Sequence, residues 1–249
     1  MLKLNFIPKF SILIIFSFIL FTVIGTLTHE FGHIAVAKYF GYETRLNYGS
    51  SSIVQKGYVE DEDVKEIEKI YKKYLDFKYE ELPNELKLKV EELQNSINKK
   101  FPQNRYHNLW ITAGGPAQTL LTSFIGLTIL YIRRNQWRNG FKILDWFAVF
   151  MTLFALREVF NFITSIYALI ISSKSNFHGD EFRISRYLGF NEWIVPSIAL
   201  IFGLIITFIA IFKIIPIKYR FTFIISGLVG SISGYAIWFG FLGEALFNS

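Results

Sequence analysis

The 249-residue sequence contains no cysteine. This absence excludes disulfide bonds and every metal site that depends on thiolate ligands. Histidine is also scarce, with 4 residues in the chain, so a metal ion would have to be held by a few imidazoles together with carboxylates. Charged residues are few as well, at 18% of the chain against 52% hydrophobic residues. This composition is typical of an integral membrane protein.

Long apolar runs predict about five transmembrane helices. The basic residues behind the net charge of +6 collect beside these runs, as they do at membrane flanks, so we expect contact with a lipid bilayer and no binding of nucleic acid. The predicted spans are residues 10–40, 109–132, 143–172, 193–215 and 221–247.

A polar region separates the first two spans. Residues 47–59 contain short β-prone runs, which predict a small hairpin or loop, and the apolar residues that follow recur at helical spacing. We therefore expect an all-α integral membrane protein in three parts. Residues 1–40 form the first transmembrane helix with its motif, 41–108 a mostly helical extramembrane insert, and 109–249 a four-helix remainder.

The first span ends in the string Thr28-His29-Glu30-Phe31-Gly32-His33. Two histidines four residues apart in a helix lie on one face, so both imidazoles can bind the same zinc ion. Glu30 lies between them, where the general base for a metal-activated water would lie. Such groups are costly in an apolar span and tend to mark function. The competing interpretation is two interfacial histidines and a glutamate that reaches the membrane surface.

The predicted topology brings further polar features to the same side of the membrane as this motif. For a third zinc ligand we rank Asp180 first, followed by Glu181 and His178, with His107 a distant fourth. The competing interpretation of the 178–181 loop is a solvated cluster of charges.

Two other features lie in the later spans. Gly114-Gly115-Pro116 predicts either a helix start, with proline in its first turn, or a break that approaches the metal. Arg157 and Glu158 are adjacent in an apolar span and each needs a partner or a wet cavity. Glu158 and Asn161 share a helix face, which we expect either to look toward the zinc site or to form a structural hydrogen bond between helices.

The His29–His33 string, Gly115-Pro116 and the distal Asp180 together resemble the site-2 protease family of intramembrane zinc metalloproteases. The resemblance covers roughly residues 20–190. It implies that His29, His33 and Asp180 bind Zn²⁺ and that Glu30 activates water. The chain departs from the family pattern after Asp180, where glutamate replaces the usual glycine, and three residues after the proline, where Thr119 replaces a frequent asparagine.

We therefore predict a zinc metallo-endopeptidase that hydrolyses peptide bonds in or beside membrane-embedded protein or peptide substrates, as a multi-pass protein of the cell membrane. Two alternatives remain open. One is a non-catalytic membrane scaffold or regulator that retains the fold, and the other is a metal or proton transporter that uses Arg157, Glu158 and the histidines as a relay. The distribution of basic residues and the family resemblance predict opposite orientations in the membrane.

Overall fold

The computed structural model describes residues 5–74, 81–172, 177 and 179–247. Its first element is the 32-residue helix α1 (Pro8–Tyr39), which begins with proline in the first turn. Gly41 ends it with φ of 81°, while the amide of Tyr42 donates to the carbonyl of Ala37 at 3.0 Å. This is a Schellman ending, which satisfies carbonyls that the helix leaves free. At about 48 Å, α1 exceeds the thickness of a membrane core, so its last turns can leave the hydrocarbon.

The insert combines a β-hairpin with two helices. Strands β1 (Glu43–Leu46) and β2 (Ser51–Val54) pair antiparallel, so the hairpin begins a few residues before the predicted 47–59 segment. Helices α2 (Glu62–Lys73) and α3 (Asn84–Lys100) follow. Lys100 joins them, because its ammonium lies 2.9 Å from a carboxylate oxygen of Asp61 and 2.7 Å from one of Asp63.

The rest of the chain is helical among the described residues. The third predicted span, 143–172, is divided into two helices by a 3₁₀ turn at Leu153–Ala155. The helices are α4 (Arg105–Arg133), α5 (Ile143–Thr152), α6 (Leu156–Ser172), α7 (Asp180–Leu188), α8 (Ile194–Phe208), α9 (Ile217–Ile237) and α10 (Gly243–Phe247), with π-helical turns at Ile209–Ile214 and Trp238–Leu242.

Four helical stretches in the described part of the chain are long and apolar enough to cross a membrane. The structure thus confirms a predominantly α-helical chain with several candidate spans. Of the five predicted spans, the third, 143–172, is not among them, because it is divided between α5 and α6. The four stretches are Pro8–Tyr39, Arg105–Trp137, Ile194–Ile214 and Ile217–Phe247.

Helix α1 packs along α4 and α9, and the two ends of this bundle differ in chemistry. Around the first half of α1, Phe18 lies edge-on to Phe150 and Phe223, with ring centroids 5.1 and 5.5 Å away, in a buried apolar cluster. An ion pair lies near that end, where the Arg133 guanidinium is 2.7 Å from the buried carboxylate of Asp145. The second half of α1 carries the histidine motif.

Candidate metal centre

Three ligand-type atoms from distant parts of the chain meet inside the bundle. Nε2 of His29 lies 3.0 Å from Oδ2 of Asp180, and Nε2 of His33 lies 3.2 Å from the same oxygen. The two Nε2 atoms are 3.2 Å apart. Both imidazoles are buried, and Asp180 is half-buried at the first residue of α7. The structure therefore places the aspartate that was ranked first beside both motif histidines.

The spacing of these atoms suits zinc. Ligands that lie about 2.0–2.1 Å from a tetrahedral zinc ion are about 3.3 Å from one another. The three observed separations of 3.0, 3.2 and 3.2 Å are close to that value. Two imidazole nitrogens and one carboxylate oxygen thus fit three corners of one tetrahedron.

The outer nitrogen of each ring is engaged by helix α4. Nδ1 of His33 lies 2.7 Å from the carbonyl oxygen of Ile111, which can only accept, so this nitrogen carries the hydrogen. Nδ1 of His29 lies 2.9 Å from the Thr119 hydroxyl. With its Nδ1 protonated, a neutral His33 ring directs the lone pair of Nε2 toward Nε2 of His29 and Oδ2 of Asp180. The Thr119 hydroxyl is able both to donate to Nδ1 of His29 and to accept from it. When it accepts, both Nε2 lone pairs and the carboxylate oxygen converge, and such a donor set fits a metal ion.

Glycines of α1 and α4 make this approach possible. A Cβ on Gly32 would overlap the carbonyl oxygen of Gly114, and a Cβ on Gly115 would overlap Nε2 of both motif histidines. Ile111, Gly115 and Thr119 are spaced by four residues, so they form one stripe of α4 that faces the histidine pair of α1.

The Gly-Gly-Pro segment is therefore a close neighbour of the candidate centre. Neither a helix start nor a helix break occurs there, because Pro116 lies inside the continuous helix α4. Proline has no amide hydrogen, so the carbonyl of Thr112, four residues earlier, lacks its usual helical partner. The expectation of a helix start or a break was wrong in geometry, although the expected approach to the histidines is present.

Glu30 lies beside the three ligand-type atoms. Its carboxylate and the two motif imidazoles have ligand atoms within 4.8 Å of one another. The side chain is 6% exposed, and the hydroxyl of Ser51 on β2 donates to its Oε2 at 3.0 Å. The hairpin thus holds one oxygen of the glutamate that the motif predicts to be a general base.

A polar cavity of about 780 Å³ opens onto this group of residues. Its volume lies in the usual range of ligand pockets, about 300–1,000 Å³. Helix α6 contributes four polar residues at helical spacing to its wall. The lining includes Glu30, His33, Asp180, Ser51, Arg183 and, from α6, Arg157, Asn161, Thr164 and Ser165.

The other ranked ligands do not join the histidines among the described residues. Glu181 is 3% exposed, and among the described residues its carboxylate contacts Glu158 and neither motif histidine. His107 lies 3.2 Å from the Tyr42 hydroxyl and stacks on Phe40 with ring centroids 4.2 Å apart. His178 lies outside the described residues.

Of the two polar residues that were predicted to share a face of α6, only Asn161 lines the cavity. Asn161 lines the cavity together with Arg157, whereas Glu158 is not part of that wall and is directed at Glu181. The prediction that Glu158 and Asn161 look jointly toward the candidate centre, or that they form a structural hydrogen bond between helices, therefore stays a prediction. Glu158 has both Glu181 and Asp180 as electrostatic neighbours, and its Cβ lies beside Gly203 of α8.

The ion pairs of Asp180 affect its ionisation. Burial opposes ionisation of this carboxyl, but its close contacts with the imidazoles of His29 and His33 outweigh that effect and hold the pKa of Asp180 well below its usual range. Arg183 lies 3.9 Å from the other carboxylate oxygen, Oδ1. Asp180 therefore presents a negatively charged oxygen to the two imidazoles, as a metal ligand must.

Comparisons of the chain with protein-family models, with curated proteins and with solved structures find no match. The resemblance to site-2 proteases rests on the sequence motifs alone.

Proposed function

We propose that this chain is an intramembrane zinc metallo-endopeptidase. The observation that carries the proposal is the meeting of His29 Nε2, His33 Nε2 and Asp180 Oδ2 at 3.0–3.2 Å from one another. Three protein ligands leave one position of a zinc tetrahedron open, which is the arrangement of catalytic rather than structural zinc sites.

Each nearby residue has a task in peptide hydrolysis. Zinc, when bound, polarises a carbonyl group and makes water acidic enough to ionise near neutral pH. Glu30 accepts the proton that the attacking water gives up and donates it to the leaving amine. Ser51 keeps the carboxylate of Glu30 oriented through the 3.0 Å hydrogen bond. Thr119 and the Ile111 carbonyl hold the imidazoles in the tautomer that leaves Nε2 available.

The position of the cavity supports a membrane-embedded protein or peptide as substrate. The cavity lies between the hairpin, the second half of α1 and α6, and its wall is mostly polar, so it can hold the water that hydrolysis consumes. Helices α1 and α4, which contribute to the wall, are two of the four described stretches that are long and apolar enough to cross a membrane. We also propose that α5 and α6 form one further, interrupted crossing and that the protein resides in the cell membrane.

A paired measurement of zinc and cleavage tests the proposal on the full chain in detergent. The substrate is a set of labelled transmembrane peptides of varied sequence. Glu30→Gln should keep about one zinc per chain, because the three ligands remain, and should lower the cleavage rate by about 10²–10⁴-fold. His33→Ala should lose the zinc. Glu85→Gln, which changes an exposed glutamate of α3, serves as the matched control.

The outcomes separate the alternatives. Cleavage that survives Glu30→Gln would refute the catalytic assignment of this residue. Stoichiometric zinc with no cleavage of any peptide would support a scaffold or regulator, whereas zinc-dependent ion uptake into proteoliposomes would support a transporter.

A further inference from the structure

Arg157 differs from the other half-buried arginines of the described chain. Arg133 contacts Asp145 at 2.7 Å, and Arg220 donates to the carbonyl of Ile215 at 2.8 Å. Arg157 makes no hydrogen bond and no ion pair with any residue that the structure describes, and its Nε is buried without a partner. An unpartnered guanidinium within a helical bundle is costly unless it faces water or an anion.

The adjacent glutamate makes no hydrogen bond with Arg157, although their charges act on each other. Neighbouring residues of a helix point about 100° apart, and both carboxylate oxygens of Glu158 lack a hydrogen-bond donor among the described residues. The Glu158 side chain is 2% exposed, and its Cβ lies beside Gly203 of α8. The guanidinium of Arg157 belongs instead to the cavity wall.

The cavity gives Arg157 a place beside the candidate metal centre. Arg157 is the first of the four polar residues that α6 presents to the cavity, which is also lined by Glu30 and Asp180. Glu30 has its own donor in Ser51, and Asp180 has the two imidazoles. The carboxylates of the candidate centre are thus engaged elsewhere, and the positive charge of Arg157 is left for a molecule that enters the cavity.

We propose that Arg157 binds a carboxylate of the substrate peptide next to the bond that is cut. The planar guanidinium presents paired N–H donors that match a carboxylate bidentately, which gives both affinity and orientation. The carboxylate comes either from an acidic side chain or from a free chain terminus. This inference rests on the proposed function, because it assigns a substrate feature to the same site.

Matched peptides measure this preference. Three pools of short fluorescent peptides are identical except for glutamate, glutamine or lysine at one fixed position, and each pool is made with a free and with an amidated C-terminus. Binding is followed by fluorescence anisotropy with the zinc-loaded Glu30→Gln protein, and cleavage with the wild type. The glutamate pool should bind about tenfold or more tightly than the glutamine pool, as expected for a hydrogen-bonded charge.

Variants of the arginine identify the source of the preference. In the Glu30→Gln background, Arg157→Gln should bring the glutamate-to-glutamine ratio to about one, and Arg157→Glu should favour the lysine pool. Arg157→Lys keeps the charge without the paired donors, so the ratio should fall between those of arginine and glutamine. Arg183→Gln, a half-exposed arginine of the same cavity that already lies near Asp180, should keep the wild-type ratio.

Each outcome decides the inference. A ratio that Arg157→Gln leaves unchanged, or that Arg183→Gln abolishes equally, overturns it. Uniform loss of binding to all pools in Arg157→Gln also overturns it, because the residue would then act on the fold or on the peptide backbone. If affinity differs between peptides with free and amidated C-termini but not between the glutamate and glutamine pools, the subsite binds the carboxylate of a chain terminus. Discrimination in binding with no cleavage by the wild type supports the subsite while contradicting the protease.

Discussion

Gly115→Ala should eliminate high-affinity zinc binding while leaving all three proposed ligands in place. The added Cβ would lie 2.5 Å from Nε2 of His29 and closer still to Nε2 of His33. Carbon and nitrogen in ordinary contact are about 3.5 Å apart, so each ring would have to move by roughly 1 Å. Metal–ligand distances tolerate only about 0.2 Å. Loss of an outer hydrogen-bond partner alone costs about 10–100-fold in metal affinity, so we expect a loss of about 100-fold or more.

The assay is a competition between the detergent-purified protein and chelators of graded zinc affinity, with bound zinc measured after separation. Gly25→Ala is the matched control, because a Cβ there would make only ordinary contacts of 3.7 Å or more with Phe154. Gly114→Ala tests helix spacing, since its Cβ would meet the Gly32 carbonyl oxygen at 2.5 Å and should lower thermal stability. A Gly115→Ala protein with wild-type zinc affinity would refute the proposed geometry.

Two further predictions concern the hairpin and the insert. Ser51→Ala removes the donor to Glu30 and should lower kcat by about 3–10-fold with zinc content unchanged, whereas Ser51→Thr, which keeps a hydroxyl, should recover most of the rate. Lys100 lowers the pKa of the Asp61 and Asp63 carboxyls by hydrogen bonding to them. A carboxyl whose pKa is lower in the folded than in the unfolded chain stabilises the fold at pH values above its unfolded pKa, which is about 4 for aspartate. The pairing of α2 with α3 should therefore weaken as the pH falls below about 4. The protection factors of α2 amides against hydrogen exchange, which remove the intrinsic pH dependence of exchange, should then fall at low pH in the wild type and be smaller already at neutral pH in Lys100→Ala.

Local spacing explains why the sequence identifies half of the candidate centre. His29 and His33 must share a face once the first span is helical, so their proximity can be predicted without knowing any tertiary contact. The insert helices were likewise visible in the apolar spacing on either side of Pro83. The position of Asp180 was inferred only from topology and resemblance, because it depends on how α7 packs against α4 and α8.

Other residues of the site were missed for physical reasons. Thr119 was treated as a departure from a family pattern, although its four-residue spacing from Gly115 places both on one face of α4 and could have indicated a partner for an imidazole. Ser51 gives no comparable signal, since its contact with Glu30 depends on the register of the β-hairpin and on its docking. That docking involves the far end of the chain, where the Trp238 indole donates to the Tyr48 carbonyl at 2.8 Å.

The distribution of polar groups along α1 argues for a site open at one end rather than a path through the bundle. From Phe18 to His29 the helix rises about 16 Å, and the Phe18 end is filled by tightly packed aromatic rings. Ser226 donates to Ser11 at 2.8 Å at that end, so both hydroxyls are used within the bundle. An ion or proton relay needs polar groups or water at every depth. The cavity lies in the other half, together with Arg157, which has no hydrogen-bond partner among the described residues. This arrangement favours chemistry at a one-sided cavity over transport.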